Sequence, residues 1–271
     1  MSDRETATHG DDSIKQKRTR KPSAMQRIRK RVANRDPMEV LVFERKLLVA
    51  ATAGIVLAFI LWTVSVSTDF WFHVSSPEDS PIYINRTNTF FLRSHSGLWT
   101  ICKLVYLNGS LAGAPTRTCH NHRLFPTEEF LQKNPEVDRT ILDYTRTESA
   151  FAIISFCLML MGFGFSLYTF KEPRYMFKRL AGGVHFISAG AILVVIEVVV
   201  NSVQYEEQFL TDRHPKGAIW SYGYSFIIAW ITFVVLVISG LTFMICSRKK
   251  KGDRASGLPG VDDEPHILGR M

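Results

Sequence analysis

The stretch 47–66, LLVAATAGIVLAFILWTVSV, decides how this chain is read. It carries no charged residue and no polar stripe at the helical period, so it lacks the wet face that a helix on a soluble core keeps. An uncharged apolar run of about 18 residues or more is long enough to cross a hydrocarbon layer of about 30 Å. Three further stretches behave alike, with Glu197 the one charged residue inside any of them: Ala150 to Phe170, Leu180 to Val200 and Tyr224 to Cys246. The first run is too long and too far from the start to be the core of a cleaved signal. The expectation is a multi-pass membrane protein with four helical spans.

The charges occupy the gaps. The chain has 271 residues, a net charge of +8 and 46% apolar content. Arg27, Arg29, Lys30, Arg31, Arg35, Arg45 and Lys46 precede the first span. Lys171, Arg174, Lys178 and Arg179 lie between the second and third, and Arg248, Lys249, Lys250 and Lys251 follow the fourth. Lys and Arg near span ends mark the cytoplasmic side. Both termini are therefore expected in the cytoplasm, and the segments 67–149 and 204–218 outside. Cys102 and Cys119 fall in the first outer loop, where thiols are oxidised, whereas Cys157 and Cys246 lie in or beside spans. The sequons at Asn85 and Asn108 fall in that loop too, as glycan acceptors require.

The expected organisation is a disordered basic arm at 1–45, a four-span domain at 46–247 and a disordered tail at 248–271. The spans are set at about 47–67, 150–170, 180–202 and 222–246, with the outer loop at 68–149. The cluster Lys15 to Lys21 suits anionic cytoplasmic lipid better than nucleic acid, and a solvated tail without a partner is the plainer alternative. The first half of the loop reads as strands: Phe70 to Val74, Ile82 to Asn85, Asn88 to Leu92 and Leu98 to Leu107 are rich in aromatic and branched residues and are separated by Ser, Pro and Gly. The part after Cys119 reads as helix, with Thr127 as a cap and Asp138 to Ser149 leading into the second span. The segment 204–218 reads as a short connection.

Trp71, then Gly97-Leu98-Trp99, then Cys102 and Cys119 resemble the signature of the claudin superfamily. That resemblance implies a membrane all-α four-helix bundle with a small extracellular β-sheet. It also implies that Cys102 and Cys119 bond between neighbouring strands while the tryptophans anchor the sheet. Three more stretches are similar to stargazin-like proteins and calcium channel gamma subunits: His95 to Cys102, Phe186 to Gly190, and Ser221 to Phe226. Glu197-Val198 resembles the muscle-type gamma subunit. The resemblance covers about residues 45–248. It implies an auxiliary subunit that modulates gating or trafficking of its partner. That partner would be the pore-forming subunit of a voltage-gated calcium channel or of an AMPA-type ionotropic glutamate receptor, in the plasma membrane, including postsynaptic membrane. A junctional or adhesive protein, like claudins proper, is the alternative. The loop here is long, and the ending His266 to Met271 lacks a scaffold-binding motif; both favour the channel subunit.

Glu197 has two readings. An ionisable group within a span is costly and commonly meets protein or water. It either contacts a partner helix or sits solvated at the outer membrane edge. His185 and Asn201 read as packing or interface residues rather than ligands. There is no nucleotide loop, zinc spacing or nucleophile–base set, so neither an enzyme nor a cofactor is expected.

Overall fold

A computed structural model describes residues 37–247 except 78, 79, 86, 108–110, 112, 134–136 and 212. The arm before residue 37, the tail after 247 and the Asn108 sequon lie outside the described residues. The chain divides into two compact units, 1–44 and 45–271; the described part of the first is the opening of a helix.

Four helices are long and apolar enough to cross a membrane. They are α1 (Pro37–Ser67), α3 (Arg139–Lys171), α4 (Tyr175–Phe209) and α5 (Tyr224–Ile245), and the short α2 (Glu128–Lys133) precedes α3. Between α1 and α2 run β1 (Phe72–Ser75), β2 (Ile82–Ile84), β3 (Thr89–Ser96), β4 (Thr100–Tyr106) and β5 (Thr116–Asn121); β6 (Ile219–Tyr222) lies between α4 and α5. Large apolar side chains stay exposed along the spans, among them Leu57, Ile153, Ile187 and Ile238. In water that would be a liability; against lipid tails it costs nothing.

The helices overrun the apolar spans, which corrects the expected boundaries. α1 starts at Pro37, ten residues before the expected Leu47. Proline suits the first helical position, where its missing N–H has no intrahelical partner to lose. Glu39 in the first turn favours the positive end of the dipole. The 37–45 segment is therefore helix rather than part of a disordered arm. α3 starts at Arg139, capped by Asp138, whose side chain accepts from the Thr140 N–H, so 138–149 leads into the second span as expected. α4 runs on to Phe209. At 1.5 Å per residue α3 and α4 are each about 50 Å long against a hydrocarbon layer of about 30 Å. Both rise well clear of the membrane at the end that carries the sheet. Charge marks where hydrocarbon ends, not where a helix ends.

The sheet has six antiparallel strands in the order β5-β4-β3-β1-β6, with β2 pairing the outer part of β3. Four strands lie near their expected positions. β5 and β6 were not expected: β5 runs through Cys119 to Asn121, and β6 begins just after the 204–218 segment read as a connection and reaches the head of the fourth span. β5 is an exposed edge, largely polar and without alternation. β6 is four residues long and exists because β1 offers it a backbone edge, pairing Phe72 with Tyr222 and Ser75 with Ile219. Neither carries a local signal strong enough to read. Helix begins again only at Glu128, where Thr127 Oγ1 accepts from the Phe130 N–H at 3.4 Å.

One apolar core runs through both layers. Ala58, Trp62, Ile192, Ile196 and Leu236 between the helices join Trp71, Phe72, Val74, Phe91, Leu98 and Val105 beneath the sheet. Polar ties join the helices where water is absent: Trp62 Nε1–H donates to Ser155 Oγ at 2.7 Å, and Ser166 Oγ lies 2.8 Å from His185 Nε2.

Cys102 and Cys119 are opposed across β4 and β5 and are bonded, with Cα atoms 4.0 Å apart. A crosslink of this kind contributes about 2–4 kcal/mol. Peptide mapping of surface protein without reduction is expected to return these two cysteines as one linked pair, with Cys157 and Cys246 as thiols. The double Cys→Ser variant should unfold at lower temperature in detergent; recovery of free Cys102 and Cys119 would overturn the assignment.

Candidate functional site

The end of the bundle that carries the sheet holds every signature residue. α1 stops at Ser67, and its last carbonyls have no helical partner. Two indoles supply it: Trp71 Nε1–H donates to the Ser65 carbonyl and Trp99 Nε1–H to the Val66 carbonyl, each at 2.9 Å. Trp71 is 1% exposed and meets Trp62 and Phe226 edge to face. The tryptophans therefore fasten the sheet to the end of α1.

Gly97-Leu98-Trp99 is the loop between β3 and β4. It lies directly on the backbone that leaves α1. A Cβ on Gly97 would stand 2.7 Å from Asp69 Cα and 2.9 Å from the Thr68 carbonyl oxygen. Only glycine permits that approach. The Gly97 N–H reaches the Thr100 carbonyl at 2.8 Å, and Leu98 is buried in the core. One short motif thus holds a close contact, a core anchor and a helix cap.

The stretch Ser221 to Phe226 joins the same weld from the other side. The Gly223 N–H donates to the Trp71 carbonyl and the Ser225 N–H to the Phe70 carbonyl. A Cβ on Gly223 would collide with that Phe70 carbonyl. Ser65 Oγ donates to the Ser225 carbonyl, and Thr68 Oγ1 lies 2.7 Å from Ser225 Oγ. Tyr222 stacks on Phe226 at 4.1 Å, and Phe226 packs on Trp71.

The other sequence candidates are more peripheral. Asn85 is exposed in the turn after β2. Glu197 is exposed on α4, its carbonyl accepting from Asn201 Nδ2 at 2.7 Å. It is close enough to Tyr222 to act on that phenol electrostatically, so it sits beside the β6–α5 junction. His185 is buried between α3 and α4, as a packing residue would be.

A buried charged cluster was not expected. Glu148 on α3 and Glu206 on α4, both above the apolar spans 150–170 and 180–202, are 7% and 3% exposed. Arg213 bonds Glu206 at 2.7 Å. With His122 they line a cavity of about 20 Å³ under Trp71 and Gly97, room for about one water molecule. The His122 imidazole is hydrogen-bonded to the Gly97 backbone. Burial, with Arg213 beside it, pushes the His122 pKa down to about 4. Burial and the neighbouring Glu206 push Glu148 up to about 8, against the opposing effect of Arg213. Burial thus favours the neutral form of Glu148, beside the Glu206–Arg213 pair. The legible signal was an acid at the edge of an apolar run in a helix that continues through it. The Glu206–Arg213 pair that Glu148 meets comes from the end of α4 and the loop after it, and its distance from Glu148 in sequence hides the meeting.

The raised Glu148 pKa sets a sign. Stability is unaffected below the ordinary carboxyl value, where the group is protonated in both states. It falls as pH rises from about 4.5 toward 8, because the unfolded chain sheds the proton first. Glu148→Gln removes that cost. In detergent, the Tm of the variant relative to the parent is expected to rise between pH 5 and pH 9; a difference that stays flat would refute the burial-driven shift.

The model of the PMP-22/EMP/MP20/Claudin tight junction family matches residues 56–245, more than half of the chain. Three relatives are voltage-dependent calcium channel gamma subunits. Mouse gamma-5 is 26% identical over 66% of this chain and 62% of its own. Human gamma-7 is 26% identical over 64% and 59%, and rat gamma-3 is 28% identical over 70% and 58%. The chain therefore spans about six tenths of the length of the curated relatives it matches. The family match takes in the second half of the first span, the sheet with its tryptophans and disulfide, and the three later spans. The chain belongs to the PMP-22/EMP/MP20/claudin family, and within it is similar to the calcium channel gamma subunits.

Proposed function

We propose that this chain is an auxiliary subunit of an ion channel. It binds the pore-forming subunit of a voltage-gated calcium channel, or of an AMPA-type glutamate receptor, and alters gating or surface delivery. The observation that carries this reading is the likeness to calcium channel gamma subunits over 64–70% of the chain, beside the family match over residues 56–245. The architecture is consistent with it. Large side chains fill the bundle interior, including Trp62, Ile192, Ile196 and Leu236, so the chain modulates a current and does not carry one. The sheet is fastened to α1 and α5, so a partner that grips the sheet also bears on the helices. Such a subunit shifts a channel only by binding its states unequally.

The proposed orientation puts the sheet outside the cell and both termini in the cytoplasm, in the plasma membrane and, for a receptor partner, at the postsynaptic side. The basic turn Lys171 to Arg179 supports it. The arm and tail are taken as disordered cytoplasmic segments, the arm lying against anionic lipid. Asn85 and Asn108 are proposed glycan acceptors, and Glu197 a contact for a helix of the partner. Glycosidase treatment is expected to lower the apparent mass of the parent and to leave Asn85→Gln/Asn108→Gln unchanged. A glycan on an amino-terminal reporter would reverse the orientation.

Voltage-clamp recording of calcium channels and of glutamate receptors, each with and without this chain, tests the function. A change in amplitude, kinetics or surface density is expected in one of them, and no current from this chain alone. Unchanged currents in both, with the chain confirmed at the surface, would reject the reading. Enrichment at contacts between expressing cells would instead support the adhesive role that the tight-junction family description brings up.

A further inference from the structure

The two faces of the sheet differ. Phe72, Val74, Phe91, Ile101 and Val105 face the core and are buried. Alternation puts their neighbours on the other face, and the register aligns them: His73 opposes His95, His95 opposes Cys102, Arg93 opposes Leu104, and Leu104 opposes Arg117. Of these, His73, Arg93, His95, Leu104 and Arg117 line, with Phe70, an open groove of about 570 Å³. The volume lies within the range of roughly 300–1,000 Å³ seen for ligand pockets.

The groove is cationic and built. Arg93 and Arg117 are exposed, and a guanidinium keeps its charge at any physiological pH. Among the described lining residues none is acidic. Tyr224, Phe70 and His95 form a stack, with ring centroids 5.2 Å and 4.6 Å apart. Arg117 Nη2 reaches His95 Nε2 at 3.3 Å and lies 3.8 Å from Cys102 Sγ. Arginine can only donate, so His95 Nε2 accepts and the imidazole is neutral. Burial lowers the His95 pKa, and Arg117 and Arg93 lower it further, against Asp69. At the other end His73 Nε2 lies 2.7 Å from Ser221 Oγ. The disulfide fixes β5 to β4 and so fixes where Arg117 stands.

We propose that this face is a docking groove for an acidic, partly apolar segment in the extracellular part of a partner protein. Carboxylates would meet Arg93 and Arg117, matching the planar fork of each. Aliphatic or aromatic side chains would lie on Phe70 and Leu104. That apolar floor favours a peptide over a sulfated polysaccharide, which has charge but no matching apolar face. The orientation, and the partner being a channel, rest on the function proposed above.

The test places a photocrosslinker at the rim in the full-length chain, Ser75→p-benzoylphenylalanine, in cells that express the candidate channels. The captured peptide is then sequenced. Capture of a segment with several Asp or Glu residues from a channel's outer domain is expected, with yield falling at least tenfold in Arg93→Glu/Arg117→Glu. The Arg93→Gln/Arg117→Gln pair, checked for surface level and for the Cys102–Cys119 bond, carries the comparison if charge reversal prevents folding, and should also reduce capture. An acidic segment from a different membrane protein would keep the groove and remove the channel as partner. Capture of neutral or basic segments only, no capture at all, undiminished capture by both charge variants, or capture lost on heparan digestion would overturn the proposal.

Discussion

The sheet depends on how α1 ends. A helix that stops at a membrane surface leaves carbonyls facing a region only partly wet, and each unpaired buried group costs about 1–3 kcal/mol. Here Trp71, just before β1, and Trp99, in the β3–β4 loop, donate to the Ser65 and Val66 carbonyls. An indole suits the task because it brings one donor on a large apolar body. Once both are seated, the loop between β3 and β4 must lie on the backbone at Thr68 and Asp69, which is why position 97 has no side chain. The register of the β1, β3 and β4 hairpins follows from that seat.

The fourth span is tied to the same place. Gly223 and Ser225 donate to the Trp71 and Phe70 carbonyls, and β6 extends the sheet beyond β1. The sheet is therefore bound to both the first and the fourth span, and it shares a core with the helices beneath. Glu148, the Glu206–Arg213 pair and His122 fill the seam between them. Such a cluster costs desolvation and is weak evidence of stability. Its physical effect is on fit: α3, α4, the 210–218 loop and the end of β5 must arrive together for each group to find its neighbour.

The two faces of the sheet separate structural from recognition chemistry. The inner face, with the tryptophans and Leu98, is committed to packing. The disulfide joins β4 to β5 on the outer face, with Cys102 buried and Cys119 exposed. The signature residues thus build a rigid frame, while the outward residues that alternate with them, Arg93, His95 and Arg117, remain able to meet another molecule. They are less conspicuous in sequence because each is a single polar residue in a strand.

Much of this was legible in the sequence. Long uncharged runs fix the four spans, since hydrocarbon tolerates little else. The order Trp71, Gly97-Leu98-Trp99, Cys102, Cys119 marks the family and its disulfide. The sequence alone did not determine where the first helix begins, because Pro37 to Lys46 mixes charged with apolar residues yet is compatible with helix; a helix can continue beyond hydrocarbon when its caps and packing hold it. Nor did it reveal β6, whose four residues are strand only because β1 lies beside them. It missed the meeting of Glu148, Glu206, Arg213 and His122, contributed by separate segments and joined only by folding. Hydropathy is local and survives in the chain as written. Edge pairing, buried charge and the cationic groove are contacts between distant segments, and only the tertiary structure decides those.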